Sequence, residues 1–250
     1  MRVLTSAGQG LDTGAERPAR PTRKSPVLEP DETNADLSDD DLRELYRAPS
    51  TPWLRVNFVS TVDGAATGAD GRSGSINNDA DGRVFHLLRE LSDVVIVGAG
   101  TARAESYKPG DKPIVVVSLS GEVPDSLRGA ELGRVLMATC ASAPGLSEAC
   151  SLLGADHVLE LGEDKVDLVA LKQALAERGF KDMLCEGGPH LFDGLLIAGV
   201  ADELCASQVP TLVGGTHTRI TAGLTLDVHL ELALLLEEDG TLLARWFIAS

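Results

Sequence analysis

Short, continuously apolar segments alternate with helical patterns over much of this chain. The clearest is residues 94–97, four apolar residues that end at Gly98, and residues 114–117 repeat the pattern. Such runs are typical of strands that are buried on both faces of a parallel sheet. Between them, apolar residues at helical spacing predict helices, most clearly over residues 79–91. This alternation predicts an α/β fold in which helices flank a mostly parallel sheet.

The C-terminal part of the chain has a different pattern. Apolar segments at residues 228–236 and 241–248 flank Asp239 and Gly240. An Asp-Gly pair between two such segments is typical of a β-hairpin. We therefore expect a mixed, mostly parallel sheet that is flanked by helices and ends in a C-terminal β-hairpin. The remaining predicted strands are 53–60, 135–138 and 183–185, and the remaining predicted helices are 166–178 and 189 to about 198.

Residues 1–50 are predicted to form a flexible N-terminal arm with one short helix. Residues 1–35 show no apolar periodicity, and half of the prolines of the chain lie within its first 52 residues. Ser38 can cap the helix, and the three aspartates that follow it suit the positive end of the helix dipole. We expect this helix to be a solvated lead-in to a single domain over residues 51–250.

The charge of the chain excludes several classes of function. There are 22 Lys and Arg residues against 38 Asp and Glu residues, a net charge of −16. This argues against binding to nucleic acid and against docking on an anionic membrane, because both need a basic surface. No apolar run approaches the roughly 20 residues that span a bilayer. The five histidines have no metal-ligand spacing, so we expect no metal site. The four cysteines form no C-x-x-C pair, which favours reduced thiols in a cytoplasmic protein.

Three of the predicted strands end in turns that contain glycine. Gly64 follows the first of these strands, Gly98 and Gly100 follow the second, and Gly187 and Gly188 follow the third. Ligands of open parallel sheets bind beyond the carboxyl ends of the strands. Pro189 suits the first turn of a helix, whose free N–H groups favour an anion. A connector without a ligand is the alternative for this turn.

Six stretches of the sequence together resemble the reductase domain of the bifunctional deaminase-reductase of bacterial riboflavin synthesis. The resemblance extends over residues 53–247, and the nearest members are stand-alone pyrimidine reductase family proteins. It implies a dihydrofolate-reductase-like fold, NADPH as hydride donor, a homodimer, and a reaction like that of 5-amino-6-(5-phosphoribosylamino)uracil reductase, on a pyrimidine or pteridine-like substrate. The stretches are 57–64 (NFVSTVDG), 87–89 (LLR), 97–101 (VGAGT), 186–189 (EGGP), 199–204 (GVADEL) and 210–215 (PTLVGG).

The resemblance also assigns site residues. The cofactor-binding positions that it implies are Val59, Ser75, Gly98, Gly100, Thr101, Glu105, Gly187, Gly188, Pro189, His190 and Leu191. The substrate-binding positions that it implies are Asn57, Ser73, Arg89 and Glu186.

The sequence departs from the family pattern at three places. Ser75 stands where many members have a Trp, and Asn57 stands where the riboflavin enzymes have a Lys. Residues 106–112 lack the usual D-P-x-L-x-x-R, so its Arg has no clear counterpart; Lys108 or Lys112 could replace it, although loop lysines are usually only solvated. Because Asn57 is not a proton donor at neutral pH, either Glu186 or a water is the expected catalytic acid. Dihydrofolate or dihydropterin reduction, and nucleotide binding without catalysis, are the alternative functions.

Overall fold

The computed structural model describes residues 1–6, 37–223 and 225–249. The strands in these ranges are β1 Arg2–Ser6, β2 Trp53–Thr61, β3 Val94–Gly98, β4 Ile114–Val117, β5 Val135–Thr139, β6 Val158–Glu160, β7 Asp182–Cys185, β8 Glu203–Val209, β9 Leu230–Glu238 and β10 Thr241–Ile248. The helices are α1 Asp39–Leu45, α2 Asp79–Leu91, α3 Ala99–Ala104, α4 Leu146–Leu153, α5 Leu168–Glu177 and α6 Pro189–Ile197. None of these helices is long and apolar enough to cross a bilayer.

All of these strands join one sheet, in the order β1-β9-β10-β8-β2-β7-β3-β4-β5-β6. The seven strands from β8 to β6 run parallel to one another. The hairpin β9–β10 and the edge strand β1 continue the sheet in antiparallel pairing. The carboxyl ends of β2, β3 and β7, near the middle of the sheet, therefore lie along one edge.

Helices cover both faces of the sheet. The apolar faces of α5 and α6 pack on one side, around Leu54, Val56 and Ile96. On the other side α3 and α4 pack against Val95 and Val97, while α1 and α2 cover the strands nearer the hairpin. Apolar residues thus point to both faces from the central strands, which explains why their sequences are apolar without alternation.

The predicted fold class is confirmed: helices flank a mixed, mostly parallel sheet that ends in a C-terminal hairpin. The helix predicted over residues 79–91 has the same bounds as α2, and the predicted hairpin is β9–β10. Each of the other predicted strands and helices is present, with ends that differ by at most two residues.

The N-terminal segments depart from the predicted flexible arm where the structure describes them. Residues 2–6 form β1, which pairs with β9 and extends the sheet. Helix α1 has the predicted Ser38 cap, but it is not solvated, because Leu42 is 1% exposed and packs with α2 and the hairpin. The apolar side of α1 covers apolar side chains of β9 and β10 that would otherwise face water. The rest of the predicted arm, residues 7–36, lies outside the described residues.

Candidate active site

A cavity of about 620 Å³ opens at the carboxyl ends of β2, β3 and β7. Its wall is formed by the second half of β2, the loop that follows it, one side of α2 along its whole length, α3 with the loop that follows it, and the turn from β7 to α6. It brings together most of the residues that the sequence singled out, and these come from five separate segments of the chain. Those that line it are Asn57, Val59, Ser73, Arg89, Gly100, Thr101, Glu105, Glu186, Gly188 and Pro189.

The other predicted site residues lie around the cavity rather than on its wall. The backbone N–H of Gly98 donates to the carbonyl of Gly187 (2.7 Å), so this pair joins two of the glycine turns. The Ser75 hydroxyl donates a hydrogen bond to Asp70 (2.6 Å), within the same connection between β2 and α2. The His190 side chain is exposed outside the cavity wall, and that of Leu191 is buried in the core, which leaves the backbone N–H of Leu191 as its group for a ligand.

The turn from β7 to α6 is built around two glycines. Gly187 has a φ of +83°, and a Cβ there would lie 2.8 Å from the Phe58 ring. A Cβ on Gly188 would overlap the hydroxyl of Thr101. Gly188 is also the N-cap of α6, and no side chain caps this helix. The Thr101 side chain thus already occupies the place of a Cβ on Gly188, and the first N–H groups of α6 have no side-chain cap, an arrangement that favours an anion there.

The strongest polar contacts of the cavity involve Glu186. Its carboxylate accepts two hydrogen bonds from Arg89, from Nε (2.6 Å) and from Nη2 (2.7 Å). It also accepts one from the Tyr107 hydroxyl (2.5 Å). Burial and the nearby Glu186 carboxylate raise the pKa of Tyr107 well above its ordinary value, so this hydroxyl remains a donor. Glu186 thus accepts hydrogen bonds from both neighbours, which favours a role in positioning Arg89. Its role as the catalytic acid stays a prediction.

Tyr107 was not among the residues that the sequence indicated. It lies in the segment that departs from the family pattern, where a lone tyrosine has no spacing that marks it as part of a site. The same segment contains the two lysines considered as replacements for an arginine. Lys112 donates to the carbonyls of Glu90 (3.0 Å) and Ser92 (2.6 Å), away from the cavity. Lys108 lines the cavity, so it is the one of the two lysines that can meet a ligand there.

Ser73 and Glu105 contact each other across the mouth of the cavity. Glu105 accepts hydrogen bonds from the backbone N–H (2.8 Å) and from the hydroxyl (3.0 Å) of Ser73. The resemblance assigns the first of these residues to the substrate and the second to the cofactor. Their contact ties the loop before α2 to the end of α3, so the two assigned subsites share a wall.

Asp81 is a second cavity residue that the sequence did not indicate. It lies in the first turn of α2, is 2% exposed and lines the cavity together with Asn57. Its Oδ1 atom is buried without a hydrogen-bond partner among the described residues. Burial raises the pKa of Asp81, and a hydrogen bond with Ser207 partly offsets this effect. An acidic residue in a first helical turn is common, which is why its position in the sequence gave no signal.

Some residues of the resembling stretches shape the fold instead of the cavity. Asp63 accepts a hydrogen bond from the backbone of Gly214 (2.7 Å), so two of these stretches are joined to each other. Asp202 accepts from the backbone of Leu54 (2.7 Å) and from Lys172 (2.5 Å). Within the described part of the chain, no group of three His, Cys, Asp or Glu side chains could hold a metal ion.

Comparison with known proteins gives matches over most of the chain. The family model described as the RibD C-terminal domain matches residues 52–241. The chain is 30% identical over 184 residues to the 2,5-diamino-6-ribosylamino-4(3H)-pyrimidinone 5′-phosphate reductase of Methanothermobacter thermautotrophicus, which covers 67% of this chain and 82% of that protein. It is 30% identical over 166 residues to the riboflavin biosynthesis protein RibD of Corynebacterium ammoniagenes, or 65% of this chain and 44% of that longer protein.

Solved structures show the same fold. A pyrimidine reductase-like protein from Corynebacterium diphtheriae has a TM-score of 0.70 at 21% identity, over 80% of this chain and 92% of that one. A RibD structure from Acinetobacter baumannii has a TM-score of 0.63 at 21% identity, over 80% of this chain and 58% of that one. At these identities the likeness shows the fold alone.

Proposed function

The chain belongs to the RibD C-terminal domain family and is therefore an oxidoreductase, and from this premise we propose that it is an NADPH-dependent reductase of a phosphorylated aminopyrimidine. The substrate would be a pyrimidine that carries a phosphoribosylamino group, as in the riboflavin enzymes, and the sugar would be reduced to a ribityl chain. The observation that carries the proposal is one cavity that joins the uncapped start of α6 to the Arg89–Glu186–Tyr107 cluster.

The glycine turns suit the cofactor. The start of α6, with Gly187 and Gly188, would hold its phosphates, and Thr101 would contact it from α3. The cofactor, when bound, supplies a hydride from its nicotinamide ring. Ser118 follows the end of β4 directly, and Ser120 comes two residues later. Hydroxyl groups at this position are compatible with the extra phosphate of NADPH, whereas a carboxylate there would favour NADH.

The opposite wall suits the substrate. Arg89 is 40% exposed at its side chain, while the carboxylate that holds it is 3% exposed. A guanidinium fixed in this way can bind a phosphate or a carbonyl oxygen of the substrate through two parallel N–H donors. Lys108 adds a second cation to the same wall. The protein would thus bind and orient the sugar carbon that receives the hydride, and exclude water from it.

We also propose a cytoplasmic homodimer. All four cysteines are free thiols, and three of them are buried, which suits a reducing compartment. The hairpin β9–β10 keeps large apolar side chains that are half-buried in one chain, and a second subunit would cover them.

The function is tested by following NADPH absorbance at 340 nm with phosphoribosylaminopyrimidines as substrates. Turnover supports the proposal, whereas tight NADPH binding without turnover of any such pyrimidine would favour the non-catalytic alternative. Titration with both cofactors tests the choice between them, and equal affinity for NADH and NADPH would contradict it.

The NADPH absorbance assay also distinguishes two possible roles of Glu186. If Glu186 positions Arg89, Glu186→Gln raises KM more than it lowers kcat and keeps the shape of the pH profile. If Glu186 is the acid, kcat falls by about 10²-fold or more and one limb of the pH profile is lost. A turnover rate within twofold of the wild-type rate excludes the acid role.

A further inference from the structure

Tyr107 is brought into the cavity by the way in which α3 ends. Ser106 has a φ of +54°, a left-handed conformation that helix ends usually give to glycine. The backbone N–H of Tyr107 donates to the carbonyl of Ala102 (3.0 Å), and that of Ser106 donates to the carbonyl of Arg103 (3.2 Å). These two hydrogen bonds turn the chain back over the last turn of α3. A residue other than glycine is strained in this conformation, which indicates a role for the side chain that follows it.

The two ends of the Tyr107 side chain have different surroundings. Its ring packs against the apolar cluster between α3 and the central strands, which includes Ala102 and Val97. Its hydroxyl donates to Oε2 of Glu186 (2.5 Å) on the wall of the cavity. A phenylalanine would pack against the apolar cluster equally well. The hydroxyl group is therefore the part of this side chain that core packing does not explain.

Arg89 is held by several residues of the same wall. Its Nε and Nη2 atoms donate to Glu186. The centroid of the Phe85 ring lies 4.6 Å from the Cζ atom of Arg89, and that of the Tyr107 ring lies 5.7 Å from the same atom. A guanidinium has five N–H groups, and the two bonds to Glu186 leave three of them, on Nη1 and Nη2, for other partners. Arg89 therefore has little freedom to turn and still has donors for a ligand.

The orientation of Arg89 depends on the orientation of the Glu186 carboxylate. The Glu186 side chain is 3% exposed, so water competes little for its oxygens. The two groups form a bidentate pair, which keeps the guanidinium and the carboxylate nearly in one plane. The Tyr107 hydroxyl adds a charge-assisted hydrogen bond to Oε2 from outside the pair, and this bond fixes the carboxylate in that plane. The plane of Arg89 follows, because the pair turns as a unit.

We propose that Tyr107 is a positioning residue: through Glu186 it holds Arg89 in place for the phosphate group of the substrate, and it thereby sets the preference for a phosphorylated sugar. This inference rests on the proposed function. A guanidinium fixed in one orientation can bind two oxygens of a phosphate through parallel hydrogen bonds. The segment that carries Tyr107 lacks the arginine of the family pattern, so Arg89 would share the phosphate with Lys108, whose ammonium group is flexible. The orientation of Arg89 therefore matters more in this chain.

The experiment compares Tyr107→Phe with the wild type on a phosphoribosylaminopyrimidine and on the same compound without its phosphate. We expect Tyr107→Phe to raise KM for the phosphorylated form by about tenfold and to keep kcat within about threefold, because the lost binding is the same in the ground and transition states. KM for the form without phosphate should change by less than about twofold. Tyr46→Phe is the matched control and should keep both KM values, since it removes the hydroxyl of the other tyrosine, which lies at the end of α1 and outside the cavity wall.

A double-mutant cycle tests whether Tyr107 acts through Glu186. In Glu186→Gln the amide has one acceptor oxygen, so it cannot accept from both N–H groups of Arg89 in a bidentate pair. Adding Tyr107→Phe should then raise KM by less than about threefold, because no bidentate pair is left to position. Effects of the two substitutions that simply add, or an equal rise of KM for both forms of the substrate, would overturn the inference. An unchanged KM for the phosphorylated form in Tyr107→Phe would also overturn it.

Binding without turnover distinguishes this inference from the proposed function. Calorimetric titration with ribose 5-phosphate, without cofactor, measures the phosphate contact by itself. If no pyrimidine is reduced but ribose 5-phosphate binds about tenfold more weakly to Tyr107→Phe than to the wild type, the proposed function fails and the positioning role stands. Turnover of the pyrimidine together with equal affinity of the two proteins for ribose 5-phosphate contradicts the positioning role alone. A wild type that neither reduces a pyrimidine nor binds ribose 5-phosphate contradicts both.

Discussion

Glu203 makes no contact with the cavity, although it belongs to one of the stretches that carry the family resemblance. Its carboxylate is fully buried and accepts hydrogen bonds from Arg55 (2.7 Å), from Arg245 (2.9 Å) and from the Trp53 indole (2.7 Å). Both arginines also donate to backbone carbonyls at the end of α1, among them that of Tyr46. At the scale of single residues, this part of the motif fixes α1 to the sheet.

Removing the charge of Glu203 should therefore destabilise the protein. Burial alone would raise the pKa of Glu203, but Arg55 and Arg245 outweigh it and lower the pKa to about 2. The ionised form thus stabilises the fold above the ordinary glutamate value of 4.5, and this stabilisation is lost as the pH falls from there towards 2. We expect Glu203→Gln to lower the free energy of unfolding at pH 7 by about 3–5 kcal/mol in urea titrations.

The difference between Glu203→Gln and the wild type should narrow below pH 4.5. Glu44→Gln is the control, since Glu44 pairs with Arg47 at the surface and should contribute less than about 1 kcal/mol. Equal effects of the two substitutions would contradict the role given to the buried cluster.

For Asp81 we expect the opposite effect on stability: removing its charge should stabilise the protein. Burial raises its pKa, so the folded protein holds this proton more tightly than the unfolded chain, and ionisation lowers stability at neutral pH. We expect Asp81→Asn to raise the melting temperature of the ligand-free protein at pH 7 by about 2–4 °C. The gain should shrink as the pH falls through the raised pKa towards 3.8, the ordinary value. A melting temperature at or below that of the wild type would argue against a strained carboxylate.

Some site residues could be predicted from the sequence and others could not, and the difference between them is physical. Gly188 and Arg89 stand in local patterns, a glycine turn after a strand and an arginine within a helix, that the resemblance connects. Asp81 is buried and Tyr107 is half-buried on a shared cavity wall, and such burial arises from contacts between distant segments. The spacing of residues along the chain does not tell whether a buried carboxyl group has hydrogen-bond partners.

At the scale of elements, the pattern of apolar residues predicted the helices and strands in which those residues recur regularly. Strand β8 was not predicted, because Glu203 and Ser207 interrupt its apolar residues, and both face buried polar partners rather than water. Helix α3 was interpreted only as a turn, since it has six residues and begins directly at the end of β3. Strand β1 is short and is stabilised by pairing with β9, more than 220 residues later, which no local window detects.

The turn from β7 to α6 yields the prediction that belongs to this scale. A methyl group on Gly188 would overlap the Thr101 hydroxyl, so Thr101 and the first turn of α6 would have to move apart. We expect Gly188→Ala to weaken NADPH binding by about tenfold or more, as measured by fluorescence titration, which corresponds to about 1.4 kcal/mol. Gly110→Ala is the control, because a Cβ at Gly110 meets nothing within 4 Å. Unchanged affinity in Gly188→Ala would mean that this turn does not hold the cofactor.

At the scale of the whole molecule, the sheet is covered unevenly. The hairpin face that bears Leu234, Leu236 and Leu243 is buried under α1 and α2. The opposite face bears Leu235 and Leu242, which remain only half-buried in a single chain. The apolar composition of both hairpin strands was evident in the sequence. The face that stays half-exposed is set by the packing of α1 against the other face, which was not predicted.

This half-buried face should be the contact between two subunits. An apolar strip on a sheet that already has helices elsewhere is more stable when a second copy covers it, and a two-fold pair buries the same strip twice. We expect light scattering at micromolar concentration to give twice the chain mass of 26.2 kDa. Leu235→Glu should lower the mass to that of one chain, because the pair would bury two unpaired carboxylates. Leu132→Glu, at a side chain that is 75% exposed far from the hairpin in sequence, should leave the dimer intact. A wild-type mass of one chain would refute the dimer, and a dimer that survives Leu235→Glu would place the interface elsewhere.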